Sequence, residues 1–318
     1  MRAWAGFVAR RLAATGVVVL IVSFGVFSLL HLSPGSVEQT LLGNRPASPQ
    51  SVAAIRAEYH LDDPLLVQYG RWLGGVFQGD LGSSIRSGEA VTAAVGRTLP
   101  LTLQLTVLGS VLTLLVGLPL GIAAALRHGR VVDRGIVAAS IAGVSTPPFA
   151  AALILLYVFA VRADWFPVYG AGDGIADRVH HLVLPAVALA LANIGLMVRV
   201  TRAAMVRELA QDYVVFALGR GISRSATVRY ALRNSLVPIL TASGLIVTST
   251  LLGTVLVEVA FALPGLGTQL VSAVTFKDVP VVQAIALLLT VAIGIINLVV
   301  DAAYALIDPR LARPGARP

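Results

Sequence analysis

The sequence has no cysteine and a single lysine, and long stretches carry no charge at all. Without cysteine there is no disulfide framework, thiolate metal site, iron–sulfur ligation or cysteine nucleophile, although either redox compartment stays open. The one lysine, Lys277, lies in Thr275-Phe276-Lys277-Asp278 with no glycine loop before it. The phosphate-cradling Gly-x-x-x-x-Gly-Lys-Ser/Thr is therefore missing, and the chain cannot hold ATP in that way. His-Glu-x-x-His and Gly-x-Ser-x-Gly are missing too, which removes the commonest zinc and serine hydrolase signatures. Charged residues make up 13% of 318 positions and apolar residues 57%, a balance that excludes an ordinary water-soluble enzyme.

Six uncharged runs dominate what remains: Leu12 to Leu32, Thr98 to Leu126, Gly135 to Val161, Val179 to Val198, Asn234 to Val257, and Val279 to Val300. At 1.5 Å per residue, about 20 helical residues cross about 30 Å of hydrocarbon, so each run is long enough to span. The expected fold is all-α, a polytopic membrane protein of six transmembrane helices. A seventh run, Val259 to Phe276, holds Leu263-Pro264-Gly265-Leu266-Gly267, which breaks the backbone pairing that a lipid-facing helix needs. That run reads as re-entrant or interfacial. The first run follows Arg10 and Arg11 as a signal peptide would, but it exceeds the usual apolar core and lacks an Ala-x-Ala site, so an uncleaved helix is expected.

A net charge of +8 often suggests nucleic acid, but here its position along the chain gives it another meaning. Sixteen of the 24 basic residues fall in the N-terminus, the 127 to 134 loop, the 199 to 233 loop and the C-terminal tail. Retention of arginine on the cytoplasmic side places those four segments inside, and with them both chain ends. The basic charge is thus topology rather than a nucleic-acid surface. The arginines of the long loop could also meet anionic lipid.

The segment from Ser33 to Arg97 is rich in Gly, Pro and charge and should lie outside the bilayer as a small helical cap. Ser48-Pro49 and Asp63-Pro64 each offer an N-cap followed by Pro at the first helical position. After the second, Leu65, Leu66, Tyr69, Trp72, Leu73 and Val76 share one helical face. The expected division is therefore 1–32, the cytoplasmic N-terminus and first span; 33–97, the cap; 98–310, the core, containing a cytoplasmic loop at 199–236; and 311–318, a cytoplasmic tail.

Charge is missing from the span interiors, so proton-coupled transport lacks obvious machinery. Glu258 and Asp301 sit at span ends, where structural roles by snorkelling or interfacial hydrogen bonds are expected. Gln104, Asn193 and Gln283 either line a polar path or bond between helices. Pro147, in Thr146-Pro147-Pro148, and the Gly117-Leu118-Pro119 and Gly121 segment either kink their spans or shape a path, as does Pro185. His180 and His181 lie at an outer boundary without companion ligands and read as interfacial.

The loop from Arg199 to Asn234 reads as two short helices. Asp212 can cap Tyr213 to Leu218, Gly219-Arg220-Gly221 ends that helix, and Ser223 or Ser225 starts the next. With Val214, Val215, Phe216 and Leu218 apolar, the first helix needs a groove on its own bundle or on another protein.

Asp212-Tyr213-Val214, then Gly221, then Tyr230-Ala231-Leu232-Arg233-Asn234-Ser235-Leu236-Val237-Pro238 resembles the EAA loop of ABC importer permeases of the dipeptide and oligopeptide group. Val8-Ala9-Arg10-Arg11-Leu12, Ser33-Pro34-Gly35, Leu61-Asp62-Asp63-Pro64-Leu65, Gly79-Asp80-Leu81-Gly82, Arg97-Thr98-Leu99-Pro100, Pro264-Gly265-Leu266-Gly267 and Asp308-Pro309-Arg310 extend the likeness over nearly the whole chain. The resemblance implies half of a translocation pathway in a bacterial inner membrane, working by alternating access. Its implied partners are a second permease, two ATPases that bind ATP and Mg, and an extracytoplasmic substrate-binding protein. No cofactor or metal is implied on this chain.

It further implies an ATPase-coupling role for Asp212, Tyr213, Ala217, Gly219, Arg220, Gly221, Arg233 and Asn234, with Ala217 and Gly221 matching the Ala and Gly of the pattern. Val215, Phe216 and Leu218 depart from the polar residues usual there, and Gly219 from the commoner Ala, so a more apolar partner groove is implied. Peptide is the expected cargo, with nickel complexes or glutathione as alternatives. A secondary transporter, a membrane-embedded enzyme or a non-transporting scaffold are the readings from other classes.

Overall fold

Hydrocarbon offers a backbone no hydrogen-bond partner, so apolar runs of this length must pair their own amides and carbonyls as helices. The computed structural model describes residues 2–32, 42, 48–58 and 61–307 and is helical nearly throughout. In chain order the helices are α1 (Arg2–Leu32), α2 (Pro49–Glu58), α3 (Leu65–Phe77), α4 (Val91–Leu126), α5 (Val131–Ser145), α6 (Pro148–Leu155) and α7 (Gly174–Leu209). There follow α8 (Asp212–Gly219), α9 (Arg224–Asn234), α10 (Leu236–Ala260), α11 (Leu266–Thr275) and α12 (Val279–Ile307). Five of them, α1, α4, α7, α10 and α12, are each long and apolar enough to cross a membrane.

The third expected span differs from its reading as one kinked helix. α5 and α6, the latter extended by a π-helical turn at Leu156–Arg162, meet at a bend of 98° and make a sixth span only if taken together. Pro147 and Pro148 cause the break: neither has an amide hydrogen, and Pro147 takes an extended φ −59, ψ 141 that caps α6 instead of continuing α5. By contrast α4 runs unbroken through Gly117-Leu118-Pro119 and Gly121. α11 has ten residues, about 15 Å at the α-helical rise, about half the hydrocarbon thickness.

The chain forms two compact units. One comprises 1–8, 102–263 and 296–318, the other 9–101 and 264–295.

α7 is the centre of the first unit, with α5, α6, α9 and α10 packed on it. Small residues allow that crowding. A Cβ on Gly121 of α4 would lie 2.6 Å from the Thr201 Cβ of α7, and one on Gly117 would lie 2.8 Å from the Met197 Cβ. One on Gly195 of α7 would lie 2.3 Å from the Ser140 carbonyl oxygen of α5. Helix association in lipid depends on such close packing, because lipid tails are as apolar as the helix faces. Gly117 and Gly121 are thus a packing stripe against α7.

The second unit buries Val91 and Val95 of α4 against Leu266 and Ala273 of α11 and Ala284 and Ile285 of α12. In the same unit Tyr69 and Trp72 of α3 pack on Phe27 of α1, and the Tyr69 and Ser23 hydroxyls lie 2.7 Å apart. Of the shared face expected on α3, Leu66 alone stays exposed, at 71%. Asp63 does not cap α3: Pro64 holds the cap position, while Asp63 pairs with Arg71 at 3.1 Å. Ser48 does precede α2 as expected, its carbonyl accepting from the Val52 amide. The Ser33-Pro34-Gly35 and Asp308-Pro309-Arg310 segments lie outside the described residues.

Candidate functional site

The loop between α7 and α10 folds as two helices joined by a tight turn. α8 begins one residue earlier than expected: Gln211, not Asp212, holds the cap position, and Asp212 opens the first turn, where a carboxylate meets the positive end of the helix dipole. The helix stops because Gly221 adopts φ +80, a conformation that side chains with a Cβ rarely take. The Arg220, Gly221 and Ile222 amides donate back to the Phe216, Leu218 and Ala217 carbonyls, satisfying the helix end. Ser223 then caps α9, its hydroxyl accepting from the Ala226 amide. Of the two serines offered by the sequence, the structure uses Ser223.

Val214 buries into its own unit, and Ala217 is half-buried. Tyr213 is 36% exposed, and its hydroxyl donates to the Glu208 carboxylate at 3.1 Å while accepting from the Asn234 amide at 3.2 Å. One phenol thereby ties the end of α7 to the end of α9 across the base of α8. Burial raises the Tyr213 pKa, as does donation to Glu208, while the bond from Asn234 works against them. Arg220, Arg233 and Gly219 are exposed. On the open side of α8, Val215 is 66% and Phe216 69% exposed, so two large apolar side chains project from an eight-residue helix.

Sequence reasoning missed the support beneath this loop. Asp133, at the start of α5, is buried and accepts from Arg202 of α7 at 2.6 and 2.8 Å, a bidentate pair. The Gly129 amide donates to it at 2.8 Å, and His128 Nδ1 lies 3.4 Å away. The available signal was that Asp133 is the one carboxylate among the arginines of its loop, which is a reason to look for an arginine partner. α9 rests close by: Ala231 packs with Ala125 of α4 and Met205 of α7.

The polar residues expected along a path are scattered. Asn193 is buried in the first unit, and its amide donates to the Thr250 hydroxyl of α10 at 3.1 Å and to the Leu189 carbonyl. Gln283 is buried in the second unit, where it donates to the Phe27 carbonyl at 3.4 Å. Both therefore make the interhelical bonds that were the alternative reading. Glu258 does not snorkel: it is fully buried and accepts from the Thr102 hydroxyl at 2.7 Å. Asp301 is buried as well. Pro147 is exposed at the bend. Gln104 lines a groove of about 610 Å³ between α4 and the start of α7, whose other walls include Val107, Ile175, Arg178 and Val179. Among the described residues no group of three or more His, Asp or Glu side chains is placed to hold a metal ion.

These features can be set beside known proteins. The chain is 38% identical to the probable peptide ABC transporter permease protein y4tP of Sinorhizobium fredii, over 96% of this chain and 98% of that one. It is 35% identical to the oligopeptide transport system permease protein AppB of Bacillus subtilis, over 96% and 99%. It is 37% identical to the glutathione transport system permease protein GsiC of Salmonella paratyphi A, over 96% and 98%. Among solved structures, the inward-facing MetNI methionine ABC transporter shares the fold, with a TM-score of 0.55 at 15% identity, covering 67% of this chain and 96% of that one. Residues 117–313 match the binding-protein-dependent transport system inner membrane component, and residues 5–106 match the N-terminal region of such membrane components. With both regions matched, the chain belongs to the binding-protein-dependent transport system inner membrane component family, as a permease subunit of an ABC importer and not an enzyme.

Proposed function

We propose that this chain forms one half of the translocation pathway of a peptide importer, with α8 as the element that receives motion from a separate ATPase. The observation that carries the proposal is the uncovered pair Val215 and Phe216 on a short helix anchored to its own unit through Tyr213 and buried Val214. An eight-residue helix is too short to persist alone in water, so its anchoring is tertiary and its open face is available to a partner groove. The names of y4tP and AppB support peptide as cargo, and that of GsiC supports glutathione, itself a short peptide, as the second reading.

In this reading the second permease, the two ATPases with ATP and Mg, and a binding protein complete the assembly, with both chain ends and α8 on the cytoplasmic side. ATP binding and release would then shift two states of the permease pair through α8, which requires its groove contacts to differ between those states. In the same reading the exposed Arg220, just after α8, and Arg233, in the last turn of α9, meet acidic residues of the ATPase. Gly221→Asp is expected to keep the protein in the membrane but to uncouple ATP hydrolysis from uptake. Reconstituted complexes would be assayed for both activities, and normal uptake by the variant would refute the role of α8. Replacing Val215 and Phe216 together by Ser should abolish copurification of the ATPase subunits.

A further inference from the structure

The groove between α4 and the start of α7 joins an apolar wall to one permanent cation. Val107, Leu108, Ile175 and Val179 form the wall, and Gln104 and Arg178 supply its polar side chains. Arg178 is half-buried, its Nε is enclosed, and that Nε has no hydrogen-bond partner. Arg178 forms no ion pair among the described residues. The nearby carboxylate of Asp177 is engaged elsewhere: it accepts from the Asp173 amide at 2.8 Å and lies 3.4 Å from His181 Nδ1.

A guanidinium stays charged at any physiological pH, and holding it against apolar side chains is unfavourable unless an anion meets it. Its two terminal nitrogens form a planar edge that matches the two oxygens of a carboxylate. The groove volume, about 610 Å³, falls within the roughly 300–1,000 Å³ of small-molecule sites. Building on the peptide reading, we propose that this groove is a substrate site in which Arg178 binds the free C-terminal carboxylate of a short peptide. Val107 and Val179 receive the apolar side chain beside that carboxylate, and the Gln104 amide meets the adjoining peptide group. A phosphodiester headgroup is bulkier at its oxyanion than a planar carboxylate, so lipid is an outcome of the test.

The test uses the complete transporter in proteoliposomes, with leucyl-leucine and its C-terminal amide as probes and each variant expressed relative to wild type, so that the binding protein's own preference cancels. Arg178→Gln is expected to lower uptake of the free acid about tenfold and that of the amide less than twofold, with Arg178→Lys between. An equal fall for both probes, or no fall for either, would overturn the assignment. A second measurement needs no transport: the detergent-solubilised complex should bind N-acetyl-leucine but not its methylamide, and Arg178→Gln should remove that binding. Failure of wild type to take up any peptide would overturn the peptide reading, whereas failure to bind N-acetyl-leucine would overturn the groove assignment. Loss of a copurifying anionic phospholipid in Arg178→Gln with uptake unchanged, read by mass spectrometry, would also overturn it in favour of a lipid site.

Discussion

Asp133 and Arg202 set the firmest residue-scale expectation. The carboxylate is buried, so its charge is tolerated only because two Arg202 nitrogens and the Gly129 amide meet it. Arg202 is 26% exposed, which lets water compensate part of any loss. Asp133→Asn should therefore destabilise the first unit by about 1.5–3 kcal/mol, below the full penalty for breaking a buried pair. A lowered melting temperature of the solubilised complex checks it, and an unchanged one would contradict the pairing. Tyr213→Phe removes one hydroxyl that serves two partners, leaving Glu208 and Asn234 to water. Because Asn234 is exposed and Glu208 only half-buried, a small loss of stability of about 0.5–1.5 kcal/mol is expected. The larger effect should be on coupling, seen as more ATP hydrolysed per peptide moved. The bidentate pair was not legible in the sequence, since Asp133 and Arg202 stand 69 residues apart and only packing brings them together.

At the scale of elements, the crossing of α5 and α7 rests on Gly195. A side chain there would meet the Ser140 carbonyl, a backbone atom that cannot swing aside as a flexible side chain can. Alanine improves helix propensity by about 1 kcal/mol over glycine in an exposed helix. Here the clash should prevail, and Gly195→Ala should cost about 1–3 kcal/mol of overpacking. Gly6→Ala of α1, with open space around it, is the control that should not lower stability. Thermal unfolding of the two variants separates these cases. Element existence was readable because period and charge are local: α8, α9 and their glycine turn follow from residues within a few positions of each other. The cap of α3 was misplaced because Asp63 could either bond the helix amides or pair with Arg71, and no local rule decides that competition.

For the whole molecule, the proposed topology has both chain ends and α8 on the cytoplasmic side, as the arginine distribution suggests, and the lack of cysteine makes that readily measured. Ser87→Cys should react with a membrane-impermeant maleimide in intact cells, and Ser225→Cys only after permeabilisation, with no background from native thiols. Ser87 lies in an exposed turn and Ser225 is exposed in the first turn of α9, so substitution should leave the fold intact. Labelling of both positions from the same side would sink the topology. Whether α5 and α6 act as one broken span can be read the same way, from a cysteine at exposed Pro147 near the 98° bend.

By itself the sequence determined the membrane class, the approximate limits of five long helices, the short α8–α9 pair and the family, because hydropathy, charge and turn chemistry all act over short distances, while the break between α5 and α6 was settled by the structure. Tertiary structure alone decided what the polar and small residues do. It turned Gly117 and Gly121 into a packing stripe, Asn193 and Gln283 into interhelical bonds, and Arg178 into a groove cation with no ion pair among the described residues. The reason is that a side chain's function in a low-dielectric interior depends on which partner comes within about 3 Å, and residues far apart in sequence reach that distance only when helices pack.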